Sequence, residues 1–197
     1  MAALLCFVLA SLTLMSSLQD LTVLAHLDQL RDELARPGAA SGPTRFNLDP
    51  ELQRRALQTQ LEALAPLRTS RAVVLVGLAG ACFLCIGAAG HMMRRAGGMP
   101  REGMRQLLAR AAVVAAVLRT VEGAQSAAVW RQLGPVLVEH TPGAEALREV
   151  APAAFAGAAM FMTALVVGIY LALAQYFRSE RVRQLVAAQE PQLHRDA

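Results

Sequence analysis

The sequence contains no lysine, so all 19 of its basic residues are arginine, and only 5% of its residues are aromatic. Proteins that bind nucleic acids commonly present a basic stripe, and those that bind single strands add aromatic side chains for base stacking. Here the arginines lie beside hydrophobic blocks instead, and we therefore expect no nucleic-acid partner. The lack of lysine, together with heavy use of Ala, Gly and Leu, indicates a bacterial source with a GC-rich genome.

Cysteines and recognisable catalytic motifs are also scarce. The three cysteines all lie inside apolar blocks, so the polar segments cannot form a disulfide framework. The sequence has no P-loop, glycine-rich dinucleotide fingerprint, HExxH or GxSxG motif. Its histidines do not recur at ligand spacing. We therefore expect a non-enzymatic protein that holds no metal and no cofactor.

Hydrophobic residues, by contrast, are abundant. They make up 55% of the chain, whereas soluble domains contain about 45–50% apolar residues. The excess gathers in uncharged blocks, which are long enough for the roughly 20 residues that cross a bilayer core. We predict one all-α membrane domain over residues 1–197, a multi-pass helical bundle with four transmembrane helices. The predicted spans are residues 2–18, 72–93, 108–130 and 152–177.

The distribution of arginine predicts the orientation of these spans. Short loops near span ends carry excess arginine on the cytoplasmic side. The loop 94–106 and the tail 178–197 both hold arginine clusters, so we place them and both termini in the cytoplasm of a bacterial plasma (inner) membrane. Residues 19–71 then lie outside, where two amphipathic arms on either side of a Pro- and Gly-rich stretch are expected to form an extracytoplasmic helical hairpin.

The first apolar block has a second interpretation. It begins at the N-terminus, and Val23-Leu24-Ala25 has the small-residue spacing that signal peptidase accepts, so residues 1–25 could be a cleaved signal peptide. No arginine precedes the block, however, and leucine continues at helical spacing from Leu18 to Leu34. We favour an uncleaved membrane anchor and leave the signal peptide as the alternative.

The third predicted span carries two charges, Arg119 and Glu122. Each costs about 2.5–3.5 kcal/mol at a bilayer centre, while each Val or Leu returns only about 0.3–0.6 kcal/mol. Alone, this helix should not insert. Its valines share one face, however, and its small and polar residues share the other. We therefore predict that the helix joins a bundle in which Arg119 and Glu122 pair, with Gln125 and Ser126 extending the polar strip.

Small residues recur at every fourth position on two of the predicted spans. Such rows let another helix approach closely, which matters because lipid provides no hydrophobic drive for helix association. Both rows are therefore predicted helix-packing surfaces, although an alanine-rich composition could also produce them by chance. The first row consists of Gly77, Ala81, Cys85 and Ala89, and the second of Ala164, Gly168 and Ala172.

Cys82 and Cys85 form a CxxC motif whose thiols share one helical face. The motif invites comparison with membrane thiol oxidoreductases that exchange disulfides with a quinone. Two features oppose that interpretation: the pair lies near mid-span, where a thiolate is disfavoured, and no second cysteine pair is present to relay oxidation to a substrate. We expect the two cysteines to serve as small apolar packing residues.

The sequence therefore predicts a lipid-embedded scaffold or accessory subunit that acts through helix packing with a protein partner or a second copy. The alternative is a small transporter or channel that uses the intramembrane Arg119 and Glu122. Thiol redox chemistry at Cys82 and Cys85 is the third interpretation. The features that distinguish this sequence concern packing more than chemistry, which is why the scaffold leads.

The four-span arrangement predicts the side of the membrane on which each polar segment lies. With the native cysteines replaced, single cysteines at Ser41 and Gly143 should react with an impermeant thiol reagent from outside. Single cysteines at Gly98 and Ala187 should react only after the membrane is opened. Labelling of the Gly98 and Ala187 positions from opposite sides would contradict four spans.

Overall fold

A computed structural model describes residues 1–35, 50–93, 101–139 and 148–193 of the chain. All secondary structure in these ranges is helical, which confirms the predicted all-α class. Parts of the predicted outer hairpin, cytoplasmic loop and tail lie outside the described residues, as do the probe positions Ser41, Gly98 and Gly143. The helices are α1 (Ala2–Ala25), α2 (Leu27–Ala35), α3 (Pro50–Leu64), α4 (Arg68–Met93), α5 (Arg101–Glu139), α6 (Ala151–Arg178) and α7 (Glu180–Leu193).

Three of the described helical stretches are long and apolar enough to cross a membrane: Ala2–Ala25, Glu51–Met93 and Ala151–Arg178. They include the first, second and fourth predicted spans, and the second stretch begins about 20 residues earlier than predicted. The third, within α5, is not among them, although α5 runs for 39 residues. Its charges account for this difference, because they lower the hydropathy of an otherwise Val- and Ala-rich segment.

Pro66 marks the start of the second apolar stretch. A proline inside a helix removes one backbone hydrogen bond and its ring clashes with the preceding turn. The chain accordingly passes from α3 to α4 through a short 3-10 turn at Ala65–Leu67. From Arg68 onward α4 continues as a regular helix to Met93.

The chain divides into two compact units. Unit 1 consists of Met1–Gln19, Val74–Thr120 and Ala164–Ala197, and unit 2 consists of Asp20–Val73 and Val121–Thr163. Helices α1, α4, α5 and α6 each contribute one segment to both units.

Unit 1 has a core of small side chains. Alanines and cysteines from α1, α4 and α5 fill most of it, and α6 adds larger residues that include the fully buried Tyr170 and Phe177. Small side chains let helix backbones approach closely, so van der Waals contact can hold helices together where no water is available to drive their association. The buried alanines are Ala10, Ala81, Ala88, Ala89, Ala109, Ala111, Ala112, Ala115, Ala116 and Ala174.

Arg105 joins the start of α5 to the end of α6 in unit 1. Its guanidinium donates a hydrogen bond to the Phe177 carbonyl, one of the backbone acceptors that the end of a helix leaves unpaired. Its Nε donates to Glu102 Oε2 at 2.7 Å. The hydrogen bonds from Arg105 and Gln106 lower the pKa of Glu102 to about 2, so this carboxylate stays ionised beside the arginine.

In unit 2, α5 packs against α6 through two glycines. A Cβ on Gly134 would lie 3.0 Å from the Ala151 carbonyl oxygen, and a Cβ on Gly123 would lie 2.7 Å from Thr163 Cβ. Between these two contacts the rings of Trp130 and Phe155 stack at 6.1 Å. Residue numbers rise along α5 as they fall along α6, so the two segments pack antiparallel.

The exposed faces of α4, α6 and the middle of α5 are largely apolar. Val114, Val117 and Val121 are each at least 42% exposed, whereas Ala112 and Ala115 on α5 are fully buried. This division matches the valine face and the small-residue face expected for that helix. Large side chains on α4 and α6 are also exposed, including Phe83 and Phe161. So many exposed large apolar side chains are expected of helices that are surrounded by lipid and not by water.

The close approach at Gly123 predicts a substitution that should destabilise the protein. Gly123→Ala should lower its unfolding free energy by about 1–3 kcal/mol, because the new methyl group would overlap the Thr163 side chain. Gly80 is the control, since a Cβ there would meet nothing within 4 Å. Gly80→Ala should instead be neutral or stabilise the protein by up to about 1 kcal/mol.

Thermal unfolding in mild detergent, followed by fluorescence, would measure both effects. Trp130 is the only tryptophan in the chain, and it lies in the α5–α6 contact. Equal midpoints for the two variants would contradict the packing described at Gly123.

Candidate functional site

The most distinctive polar feature of unit 2 is a buried cluster contributed by three helices. Asp20 lies on α1, Arg71 on α4, and Glu122 and Ser126 on α5. Glu122 and Ser126 are one helical turn apart, so they project from the same face of α5. Arg71 begins the apolar part of α4, and its long side chain allows the guanidinium to reach both carboxylates.

Arg71 Nη2 is the centre of the cluster. It lies 2.7 Å from Asp20 Oδ2, 3.4 Å from Glu122 Oε1 and 3.2 Å from Ser126 Oγ. Ser126 Oγ also donates to Glu122 Oε1 at 2.8 Å. The arginine therefore bonds most closely to Asp20, while Glu122 receives both a serine hydrogen bond and the longer contact with the guanidinium.

Burial makes this cluster energetically demanding. Arg71 is 7% exposed and Glu122 is 5% exposed, whereas the Asp20 side chain is 39% exposed. Removing two charges from water costs several kcal/mol for each ion, and their attraction offsets the cost only when the geometry is good and other hydrogen bonds contribute. Loss of Arg71 would remove its positive charge from beside both carboxylates. The cluster thus links α1, α4 and α5.

Buried polar atoms on α4 and α5 include two that have no hydrogen-bond partner among the described residues. They are Nη1 of Arg71 and Oε1 of Gln125. One is a donor and the other an acceptor, and buried atoms of this kind normally bind a partner or an ordered water. This part of the protein therefore retains hydrogen-bonding capacity that its own side chains do not use.

The chain matches no protein-family model, no curated protein and no solved structure. Its function must therefore be argued from its own residues, since a helical fold alone does not define an activity.

The predicted polar strip is found only partly in this cluster. Glu122 and Ser126 belong to it, and Gln125 lies half-buried on the same helix. Arg119 is half-buried in unit 1, and its pairing with Glu122 stays a prediction. Asp20 and Arg71 flank apolar blocks, within the segment predicted as the outer hairpin, and their part in a polar cluster was not predicted. Opposite charges at the edges of two predicted spans are the signal that could have identified them.

A second group of polar side chains lies within unit 1. Cys6, Cys82 and Cys85 are free thiols, and each is fully buried. Cys6 on α1 and Cys85 on α4 belong to the same buried core. Cys82 Sγ lies 3.6 Å from the Tyr170 hydroxyl, which donates to Thr13 Oγ1 at 3.1 Å. The proposed thiol pair Cys82 and Cys85 is therefore joined by a third cysteine, on α1.

The two predicted packing rows lie in different surroundings. On α4, the residues Ala81, Cys85 and Ala89 are buried, and a Cβ on Gly77 would lie 3.2 Å from Leu118 Cδ1. On α6, the residues Ala164, Gly168 and Ala172 are all exposed, and a Cβ on Gly168 would meet nothing within 4 Å. The α6 row is therefore exposed, whereas most of the α4 row is buried.

Unit 2 also contains two neighbouring cavities beside α2 and α3. One has a volume of about 410 Å³ and is lined mainly by apolar residues, including Val23, Leu30 and Leu57. The other, of about 240 Å³, is lined partly by Arg31, Gln58 and Glu62, and both cavities share Leu34 and Leu61. Among the described residues, no group of three or more His, Cys, Asp or Glu side chains could hold a metal ion.

The buried cluster predicts a clear ranking of charge substitutions. Arg71→Met should lower the unfolding free energy by about 3–5 kcal/mol, because it leaves the buried Glu122 without the guanidinium. Adding Glu122→Gln should recover part of that loss. The control is Arg68→Met on the same helix, since the Arg68–Asp28 pair at 2.7 Å is largely exposed and worth at most about 1 kcal/mol.

The amount of monodisperse protein surviving stepwise heating in detergent would rank the wild type, Arg71→Met, Glu122→Gln, the double mutant and Arg68→Met. A double mutant showing the simple sum of the two single losses would contradict an Arg71–Glu122 interaction. Equal losses in Arg71→Met and Arg68→Met would contradict the structural role of the buried cluster.

Proposed function

We propose that the chain is a bacterial inner-membrane protein that crosses the bilayer four times and acts as a non-enzymatic scaffold or accessory subunit. Its α5 serves as the third crossing, and both termini are cytoplasmic. Its partner is a transmembrane helix of another protein or of a second copy.

The observation that carries this proposal is the Asp20–Arg71–Glu122 cluster. Charges inside a membrane are costly and are expected to pair or to mark a transport path. Here Arg71 and Glu122 are buried and bonded to side chains from neighbouring helices. This is the arrangement expected of charges that hold α5 in a bundle, and it supports α5 as a membrane crossing despite its polarity.

The segments beyond the cluster support an outer hairpin. Arg68 Nη1 bonds Asp28 Oδ2 at 2.7 Å, and Arg54 Nη2 donates to the Leu34 carbonyl at 2.8 Å. These contacts pair lower residue numbers on one arm with higher numbers on the other, as expected for two antiparallel arms. Their polar outward faces suit a location in water outside the bilayer.

The exposed row on α6 supports the association surface. Ala164, Gly168 and Ala172 repeat every fourth residue, and the neighbouring Phe161, Leu165 and Ile169 are exposed as well. Small residues between large apolar ones let a second helix approach closely within lipid. We propose that this face of α6 binds the partner helix.

Gly168→Leu tests the association surface without disturbing the fold. A Cβ at Gly168 or at Gly80 would meet nothing within 4 Å, so leucine should be tolerated at either position. Only Gly168→Leu should weaken association, by about tenfold, which corresponds to about 1.4 kcal/mol. Co-purification of differently tagged copies from mild detergent, with quantitative mass spectrometry of other bound membrane proteins, would measure it.

Gly80→Leu is the control for added bulk on an exposed helix face, and thermal unfolding of both variants checks folding. Unchanged association in Gly168→Leu, both with a second copy and with every co-purifying protein, would contradict this surface.

A transporter or channel is the second candidate, favoured by the unused hydrogen-bonding capacity of Arg71 Nη1 and Gln125 Oε1. In that case Glu122 and the polar atoms near it would bind water or a solute as it crosses the membrane. Solute flux into liposomes that is lost in a stably folded Glu122→Gln protein would favour transport over the scaffold.

A further inference from the structure

The end of α6 and the start of α7 present two arginines together with exposed apolar side chains. Arg178 and Arg181 are both exposed, and the large side chains of Tyr176 and Leu185 are 49% and 63% exposed. Arg181 and Leu185 are four residues apart on α7, so they are neighbours on the surface of that helix. These four residues, all in unit 1, form what we call the α6–α7 patch.

The buried side of α7 holds the patch in place. Val182 and Val186 are only 8% and 7% exposed, and both belong to the alanine-rich core of unit 1. At the junction of the two helices, the Ser179 hydroxyl donates to the Tyr176 carbonyl at 2.8 Å. Helix α7 is therefore packed against the core through its valines, while the patch remains at the surface.

The charges of this segment do not balance. Arg183 pairs with Glu180 at 3.0 Å, and Glu180 is the only acidic residue between positions 178 and 189. Neither Arg178 nor Arg181 forms an ion pair with a residue that the structure describes. The patch therefore carries two positive charges that the described part of the chain leaves unmatched.

We infer that the α6–α7 patch binds anionic phospholipids, with the two guanidinium groups on the phosphate headgroup. Arginine forms charge-assisted and often bidentate hydrogen bonds with phosphate. Helix α6 is apolar enough to cross a membrane and ends at Arg178, so a crossing α6 places the patch among the headgroups. Tyrosine is enriched at that depth, and Leu185 offers an apolar contact to the acyl chains. A negative headgroup joined to apolar chains thus matches both parts of the patch.

This inference rests on the membrane location given under the proposed function and not on the scaffold role. In the proposed orientation the patch faces the cytoplasmic leaflet, where anionic lipids attract basic side chains. Arginine near a span end also favours cytoplasmic retention during insertion, but that role requires no lasting contact with a lipid. Selective binding of an anionic lipid by the folded protein therefore separates the two roles.

The test compares a phosphatidylglycerol with a phosphatidylcholine that has the same acyl chains, each added to the full chain purified in a neutral detergent. Native mass spectrometry gives the fraction of protein with bound lipid at each lipid concentration. We expect the unaltered chain to prefer phosphatidylglycerol. Arg178→Gln and Arg181→Gln should each weaken phosphatidylglycerol binding about fivefold, and the double variant about 25-fold.

Two control variants separate the patch from general effects of charge. Glu180→Gln with Arg183→Gln removes a matched pair from α7 without changing the net charge, so it should leave the lipid preference unchanged. Arg55→Gln with Arg68→Gln removes the same total charge as the double patch variant, but from exposed ion pairs of unit 2. It should weaken phosphatidylglycerol binding far less than the double patch variant does.

Equal binding of the two lipids by the unaltered chain would overturn the inference, and this comparison requires no variant. Equal losses in the double patch variant and the unit 2 variant would overturn it as well, because net charge alone would then account for binding. Thermal unfolding without added lipid checks that each variant is folded. Failure here would leave the scaffold role standing, since that role is tested by association at Gly168.

Discussion

The contact of Arg71 with two carboxylates is the interaction on which this account depends most. Arg71 and Glu122 are buried, and Asp20 is partly exposed beside them. Burying such charges is unfavourable unless each finds a partner, and the partners here lie on three different helices. The need to neutralise these charges therefore restricts how α1, α4 and α5 are arranged. Under the four-span proposal, it also explains how the polar α5 remains within the membrane.

Close packing of small side chains is the second constraint. Unit 1 is filled largely by alanine and cysteine, and unit 2 brings α5 against α6 at Gly123 and Gly134. In both units, small side chains at many of the contacts let helix surfaces meet closely, and dispersion then acts over many atoms. The large apolar side chains lie mainly on the outward faces, where lipid would contact them.

Helices and their outward faces were predictable from the sequence because both follow local patterns. Apolar length indicated the three membrane-competent stretches, and the periodicity of α5 separated its valines from its buried alanines. The four-span topology stays a prediction. The partners of individual side chains were not predictable, since they depend on which helices meet. Neither the contact of Glu122 with Arg71, 51 residues away, nor that of Cys82 with Tyr170, 88 residues away, has a local signature.

The α6 row shows a related limit of sequence patterns. Its spacing matches that of the α4 row, but the α4 row is mostly buried and the α6 row is exposed. Periodicity identifies residues that share a helical face and contains no information on what covers that face. The bonding of Arg71 could be recognised only when three helices had been brought together.

Solid-state NMR on the protein in lipid bilayers would test the central claim most directly. With the guanidinium nitrogens labelled with ¹⁵N and the carboxyl carbons with ¹³C, dipolar recoupling reports whether Arg71 contacts Asp20 and Glu122. The account predicts short-range coupling to both carboxyl groups, consistent with nitrogen–oxygen distances of 2.7 Å and 3.4 Å. Arg71→Met should remove that coupling. A wild-type protein in which the Arg71 guanidinium shows no coupling to Glu122 in the bilayer would contradict the account.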